Sequence, residues 1–209
     1  MTRDYYRPVT SLESELEVKN SRFIACLAPA SNDQQVSDFL KKVQLRWPKA
    51  NHYCTASIVG SPYDDRVLTC SDDGEPSGTA GRPMLMVLQN RPIGEITAVV
   101  VRYFGGVKLG TGGLQRAYSQ AVSDALENLQ TELRVYRETF WVRYPYADQG
   151  AIEALWSKFG VKVITSDFGA EVEQRLALIP AQALDLQSKL DAATQGRVKL
   201  LEEHGARLK

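Results

Sequence analysis

Ile96-Thr97-Ala98-Val99-Val100-Val101-Arg102-Tyr103-Phe104-Gly105-Gly106-Val107-Lys108-Leu109-Gly110-Thr111-Gly112-Gly113-Leu114 decides the fold class. Residues 96–101 form a near-continuous apolar run rich in β-branched side chains, the mark of a strand buried on both faces. A loop holding five glycines follows, and then a strong helical stripe: Leu114, Ala117, Tyr118, Ala121, Val122, Ala125, Leu126 and Leu129. A buried strand running through a glycine loop into a helix makes this an α/β (α+β) chain.

Working outward, residues 13–28 read as two short strands broken at Lys19-Asn20-Ser21. Val36, Phe39, Leu40, Val43 and Trp47 predict a helix, with N-cap candidates at Ser31, Asn32 and Asp33 and a stop at Pro48. His52 to Val59 predicts a strand with Cys54, Ala56 and Ile58 on one face. Residues 60–83 read as a long, functional loop with four aspartates and one glutamate, and an apolar pattern resumes over 84–89. Residues 130–137 lack a clean period and read as a linker.

Beyond the linker the pattern restarts. Phe140, Val142 and Tyr144 alternate as a strand, and Asp148 is placed to cap a helix that Gly160 closes. Strands over 161–165 and 172–179, a helix from Pro180 to Gly196 and a strand over 198–201 complete a β-α-β-β-α-β order. That is the split unit of ferredoxin-like domains. Two domains are therefore expected, 1–132 and 138–209.

The chain has 209 residues, 44% of them hydrophobic, with 25 basic and 25 acidic side chains. This composition suits a globular protein with a sizeable core and offers no global basic field for nucleic acid. A DNA partner is not expected. Cys26, Cys54 and Cys70 show neither metal-ligand spacing nor a disulfide framework and read as small buried hydrophobes in a reducing compartment. No apolar signal region and no run of about 18 apolar residues is present, so the expectation is a cytoplasmic protein off the membrane. His52 and His204 stand apart from any cysteine or carboxylate pattern and read as structural or surface histidines.

Two segments carry the chemistry. In the first, five glycines let backbone pass close to a ligand, and the helix start presents unpaired N–H groups that suit an anion. Arg102, Gly105, Gly106, Lys108, Thr111, Gly112, Gly113 and Arg116 form the candidate phosphate site, with Tyr103 and Phe104 placed either to stack on a base or to cover the core. The alternative is that the glycines serve turns and packing alone. No Walker ending follows, and Gln115 stands where a dinucleotide fingerprint needs its last glycine. The second segment is Ser71-Asp72-Asp73-Gly74-Glu75-Pro76-Ser77-Gly78-Thr79-Ala80-Gly81-Arg82-Pro83. Asp72, Asp73 and Glu75 are weak candidates for a magnesium site. They are read first as an acidic turn capping a helix-like segment after Gly78. No catalytic residue is assigned and no triad signature occurs.

Together, Ser71–Pro76 with Gly78–Gly81, and Val101–Gly106 with Leu109–Leu114, resemble the IMPACT family, and the chain is similar to its bacterial YigZ-like branch. The resemblance covers most of residues 10–205. It implies an N-terminal domain like the second domain of a ribosomal small-subunit protein, and a C-terminal domain like a ferredoxin-like elongation factor domain. Eukaryotic members regulate translation by competing for a ribosome-associated activator of a stress kinase, through a domain without counterpart here, so that partner is not carried over. The leading expectation is a non-enzymatic, translation-associated regulator binding RNA, a ribosomal component or a phosphate-bearing ligand, with no cofactor. The alternatives are a magnesium-dependent enzyme acting on a nucleotide or phosphorylated small molecule, and a protein-interaction module.

Overall fold

The computed structural model describes residues 3–202, in two compact units that divide between Arg134 and Val135. His204 lies outside the described residues.

Unit 1 runs β1 (Tyr5–Pro8), β2 (Leu12–Val18), β3 (Ser21–Pro29), α1 (Asp33–Arg46), β4 (His52–Ile58), β5 (Leu68–Ser71), α2 (Gly81–Gln89), β6 (Ile96–Tyr103), α3 (Thr111–Glu127) and β7 (Thr131–Arg134). Five strands form an antiparallel sheet in the order β2-β3-β6-β4-β5. Phe23, Ala25 and Leu27 of β3, with Ala98 and Val100 of β6, pack against α2 and α3. Ile24, Cys26, Val99 and Val101 turn the other way, against Phe39, Leu40 and Val43 of α1. Alternation thus puts two cores on one sheet, which is why residues 96–101 of β6 read as a near-continuous apolar run. Lys19 and Asn20 both take positive φ, 47° and 64°, as the tight β2–β3 turn requires. Asn32 caps α1 by accepting the Gln35 N–H.

Residues 81–89 form α2, the helix-like segment expected after Gly78. Two features depart from the sequence reading. Residues 68–71 form β5, an outer strand, inside the stretch read as loop. Thr131–Arg134, read as linker, form β7, which pairs with β1 at the far end of unit 1. Glu95 fixes this ribbon, accepting Tyr5 Oη–H at 2.7 Å and Arg7 Nη1–H at 3.0 Å. Cys26 and Cys54 are buried as expected, but Cys70, on β5, is exposed.

Unit 2 runs β8 (Glu138–Tyr144), α4 (Gln149–Phe159), β9 (Lys162–Phe168), β10 (Val172–Leu178), α5 (Ala183–Thr194) and β11 (Leu201–Glu202). Its sheet order, β11-β8-β10-β9, with every neighbour antiparallel, is the ferredoxin-like arrangement. Gly160 closes α4 in the left-handed region, as read. Asp148 does not cap α4 with its side chain; it accepts two bonds from Arg197 instead. No helix among the described residues is long and apolar enough to cross a membrane.

Candidate functional site

The acidic segment is built around Asp72. Its carboxylate accepts the backbone N–H groups of Gly78 at 2.7 Å, Ala80 at 3.0 Å and Gly81 at 2.8 Å. It therefore folds the loop and seals the N-terminus of α2. Partial burial pushes this carboxyl up, but the Gly78, Gly81 and Ala80 N–H groups outweigh it and hold the group below the ordinary aspartate range. A folded-state pKa below the unfolded one means stability that is present above the unfolded value and lost as pH falls through the folded one. Asp72→Asn is thus expected to lower stability at neutral pH by about 1–2 kcal/mol. The gap from wild type should narrow in urea titrations as the pH drops below about 4; a gap that stays constant with pH would contradict the assignment.

Asp73, with φ +44°, uses Oδ2 to accept the Tyr53 N–H at 2.6 Å. Its carbonyl oxygen lies 2.8 Å from His52 Nδ1, so that nitrogen carries the hydrogen. Glu75 turns inward and is 8% exposed. Its Oε1 accepts Arg102 Nη1–H at 2.6 Å and Tyr118 Oη–H at 2.7 Å, while Oε2 faces His52 Nε2 at 3.9 Å. Burial, the neighbouring Cys54 and Glu75 raise the Tyr118 phenol far above its usual range, so it serves as a neutral donor. Burial likewise pushes the Cys54 thiol up to about 12. The three candidate metal carboxylates therefore diverge: Asp72 points to α2, Asp73 to the start of β4, and Glu75 into the core. No group of three or more potential metal-binding His, Cys, Asp or Glu residues occurs among the described residues.

Arg102 corrects an expectation. It was placed at the anion site, yet it is 6% exposed and bound to Glu75. Alternation along β6 puts it in the row of Ala98 and Val100, beneath α3, where a charge needs a buried counter-ion. Its guanidinium lies 5.4 Å from the Phe23 ring centroid and 5.5 Å from that of Phe104. The acidic and glycine segments thus meet through this pair. Tyr103 takes the core-covering role, packed against the α1-side core with its hydroxyl donating to Pro48 O. Phe104 stays 46% exposed.

The glycines divide by role. A Cβ on Gly105 would stand 2.0 Å from the Asn20 carbonyl carbon, so the β2–β3 turn can pass only over a glycine here. Gly110 precedes α3 with φ +72°. A Cβ on Gly113 would come 3.1 Å from Leu109 Cβ, whereas one on Gly112 would meet nothing within 4 Å. Neither helix has an acidic residue in its first turn, but Asp72 accepts the N–H groups at the start of α2, whereas α3 starts without a side-chain cap. Lys108 and Thr111 are exposed beside this start. Arg116 folds back over it, its Nε–H donating to Gly112 O at 3.2 Å.

Between α2 and α3 lies a groove of about 670 Å³, lined at one end by Gly78, Arg82 and Arg116. A smaller hollow of about 330 Å³ lies between α3 and β2, with Lys19 and Arg116 on its border. Arg82 and the Glu75–Tyr118–Cys54 cluster were not singled out from the sequence. Recognising 81–89 as a helix would have put Arg82 and Met86 on one face. A tyrosine inside the α3 apolar stripe already implied a buried polar partner.

Residues 19–126 match the Impact N-terminal domain, and residues 142–197 match a domain of unknown function, DUF1949. The chain is 42% identical to IMPACT family member YigZ of Escherichia coli, over 93% of this chain and 94% of that protein. An IMPACT family member of Haemophilus influenzae is 38% identical over 95% of this chain and 98% of its own length. A crystal structure of a hypothetical protein, 39% identical, superposes with a TM-score of 0.75 and covers 97% of this chain and 98% of that one.

Proposed function

The chain belongs to the IMPACT family, and on that premise we propose that it is a non-enzymatic, translation-associated protein that binds RNA through the surface around the start of α3. Family membership supports a translation-related regulatory role in broad terms.

One observation carries the RNA reading. The N-terminus of α3 is uncapped, has open space over Gly112 and carries Arg116 in its second turn, folded back over the start. Unpaired N–H groups and the positive end of a helix suit a phosphate oxygen, and Lys108 and Thr111 add a cation and a hydroxyl. The neighbouring helix start has its own carboxylate, Asp72, so the two ends differ in what they can accept. The magnesium-enzyme reading draws no support from the acidic segment, whose carboxylates each have a structural partner. The purely structural reading of the glycines accounts for Gly105 but not for Gly112.

The test is RNA affinity across a salt series. Arg116→Ala is expected to weaken binding and to reduce the slope of log affinity against log salt by about one. Arg116 is exposed and makes only a backbone contact, so the melting temperature should hold. Unchanged affinity and slope for both Arg116→Ala and Lys108→Ala would move the protein-interaction reading to first place.

A further inference from the structure

The groove between α2 and α3 has a polarity of its own. Its lining falls on two helical stripes of the same spacing: Arg82, Pro83, Met86, Val87 and Asn90 on one side, Gln115, Arg116, Ser119, Gln120 and Ser123 on the other. Gln115 Nε2–H donates to Gly78 O at 3.3 Å and ties the two helix starts together. Arg82 and Arg116 therefore stand at one end, and Asn90 and Ser123 at the other. The stripe from Arg82 to Asn90 spans about 12 Å at the helical rise.

The lining contains no acidic residue. Among the described residues neither Arg82 nor Arg116 forms an ion pair, although acidic and basic side chains are equal in number, 25 each, over the whole sequence. Between the two ends the α2 side is apolar, with Pro83, Met86 and Val87, and Met86 is 55% exposed. Asn90 and Gln120 each bring an amide, which both donates and accepts. A cationic end, an apolar side and amides beyond it match, in order, a phosphate, an unstacked base face and a base edge.

We propose that this groove takes single-stranded RNA, about two nucleotides long, with backbone phosphate on Arg82 and Arg116 and bases laid over Met86 toward Asn90. The inference rests on the RNA-binding reading above and adds to it the strandedness and the footprint. A duplex offers its phosphates to the two arginines, but its bases are stacked inside and cannot enter the groove.

Fluorescence anisotropy on the full chain tests this with a short labelled oligouridylate, an RNA duplex of equal length and a poly-glutamate peptide. The single strand is expected to bind about tenfold more tightly than the duplex. Met86→Glu, at an exposed position, should reduce single-strand affinity by about tenfold or more and weaken the duplex by a smaller factor, through the new carboxylate one turn from Arg82. Arg82→Ala should weaken both RNAs. Asn90→Ala is a second, smaller probe of the far end and should affect the single strand alone. RNA binding that is indifferent to strandedness and to Met86→Glu overturns the groove assignment and leaves the broader reading standing. No RNA binding at low salt sinks both, and Met86-dependent capture of poly-glutamate in its place identifies an acidic protein segment as the occupant.

Discussion

Replacing Glu75 with alanine is expected to destabilise unit 1 by about 3–5 kcal/mol, because it leaves the buried Arg102 guanidinium without its counter-ion. Tyr118 loses its acceptor in the same step. Both partners of the pair are nearly solvent-free, with side-chain exposures of 3% for Glu75 and 7% for Arg102. Among the described residues the Arg102 Nε has no hydrogen-bond partner, and besides Glu75 the guanidinium has the Phe23 and Phe104 ring faces beside it, which cannot replace a counter-ion. Urea unfolding should show a lower midpoint with an unchanged slope. The double change Glu75→Leu with Arg102→Met removes both charges together and should recover much of the loss, since apolar replacement of a buried pair is often near neutral. A single Glu75→Ala variant within about 1 kcal/mol of wild type would show that water reaches this pair and that the acidic motif is not a core element.

The second large effect is expected at Gly105. Its alanine variant would push a methyl group to 2.0 Å from the Asn20 carbonyl carbon and 2.4 Å from the Ser21 nitrogen. Backbone has to move, and the Gly105 N–H to Ser21 Oγ bond at 3.1 Å goes with it. Ser21 is fully buried, so its hydroxyl is left without that partner. We expect a loss of about 3 kcal/mol or more, at the upper end for overpacking. Gly112→Ala provides the contrast within one loop. Its added methyl meets nothing within 4 Å, so stability should hold or rise by up to about 1 kcal/mol, whereas RNA affinity should fall because the methyl occupies the proposed phosphate position. Thermal melts and binding curves on the two variants separate a packing glycine from a ligand-facing one. Equal destabilisation by both would contradict the division.

Much of this fold is legible in the sequence where each element carries both a period and a terminator. Residues 96–101 of β6 read as near-continuously apolar because both faces of the sheet are covered, and α3 shows its stripe over 17 residues. In unit 2, Gly160 and the turn at Pro180 punctuate every step of the ferredoxin-like order. The missed elements lack such local marks. β7 is four exposed residues whose partner, β1, lies at the other end of the unit in sequence. α2 was read only as a helix-like segment after Gly78, because the cap that sets its start, Asp72, lies nine residues upstream of the Gly81 N–H it accepts. Pro83 sits in the first turn of α2, where its missing N–H is not needed.

The candidate site was legible in part. Thr111, Gly112 and Arg116 meet at one helix start, as the loop-to-helix pattern implied. Arg102 was misplaced because its positive charge was read without its burial. An arginine that continues a strand buried on both faces already calls for an internal acid, and Glu75 in the acidic motif supplies it. Arg82 was passed over because the helix-like segment after Gly78 was not continued through the apolar pattern of 84–89, which puts Arg82 and Met86 on one face.

The central claim, that the start of α3 receives RNA phosphate, is tested most directly by titrating the isotope-labelled full chain with oligouridylate and following backbone amide shifts. The account predicts the largest changes at Thr111, Gly112, Gly113 and Arg116, followed by Arg82, with Gly105 and the Asp72-capped amides of Ala80 and Gly81 much less affected. Saturating shifts confined to other surfaces, with Thr111 to Arg116 unmoved, would contradict it.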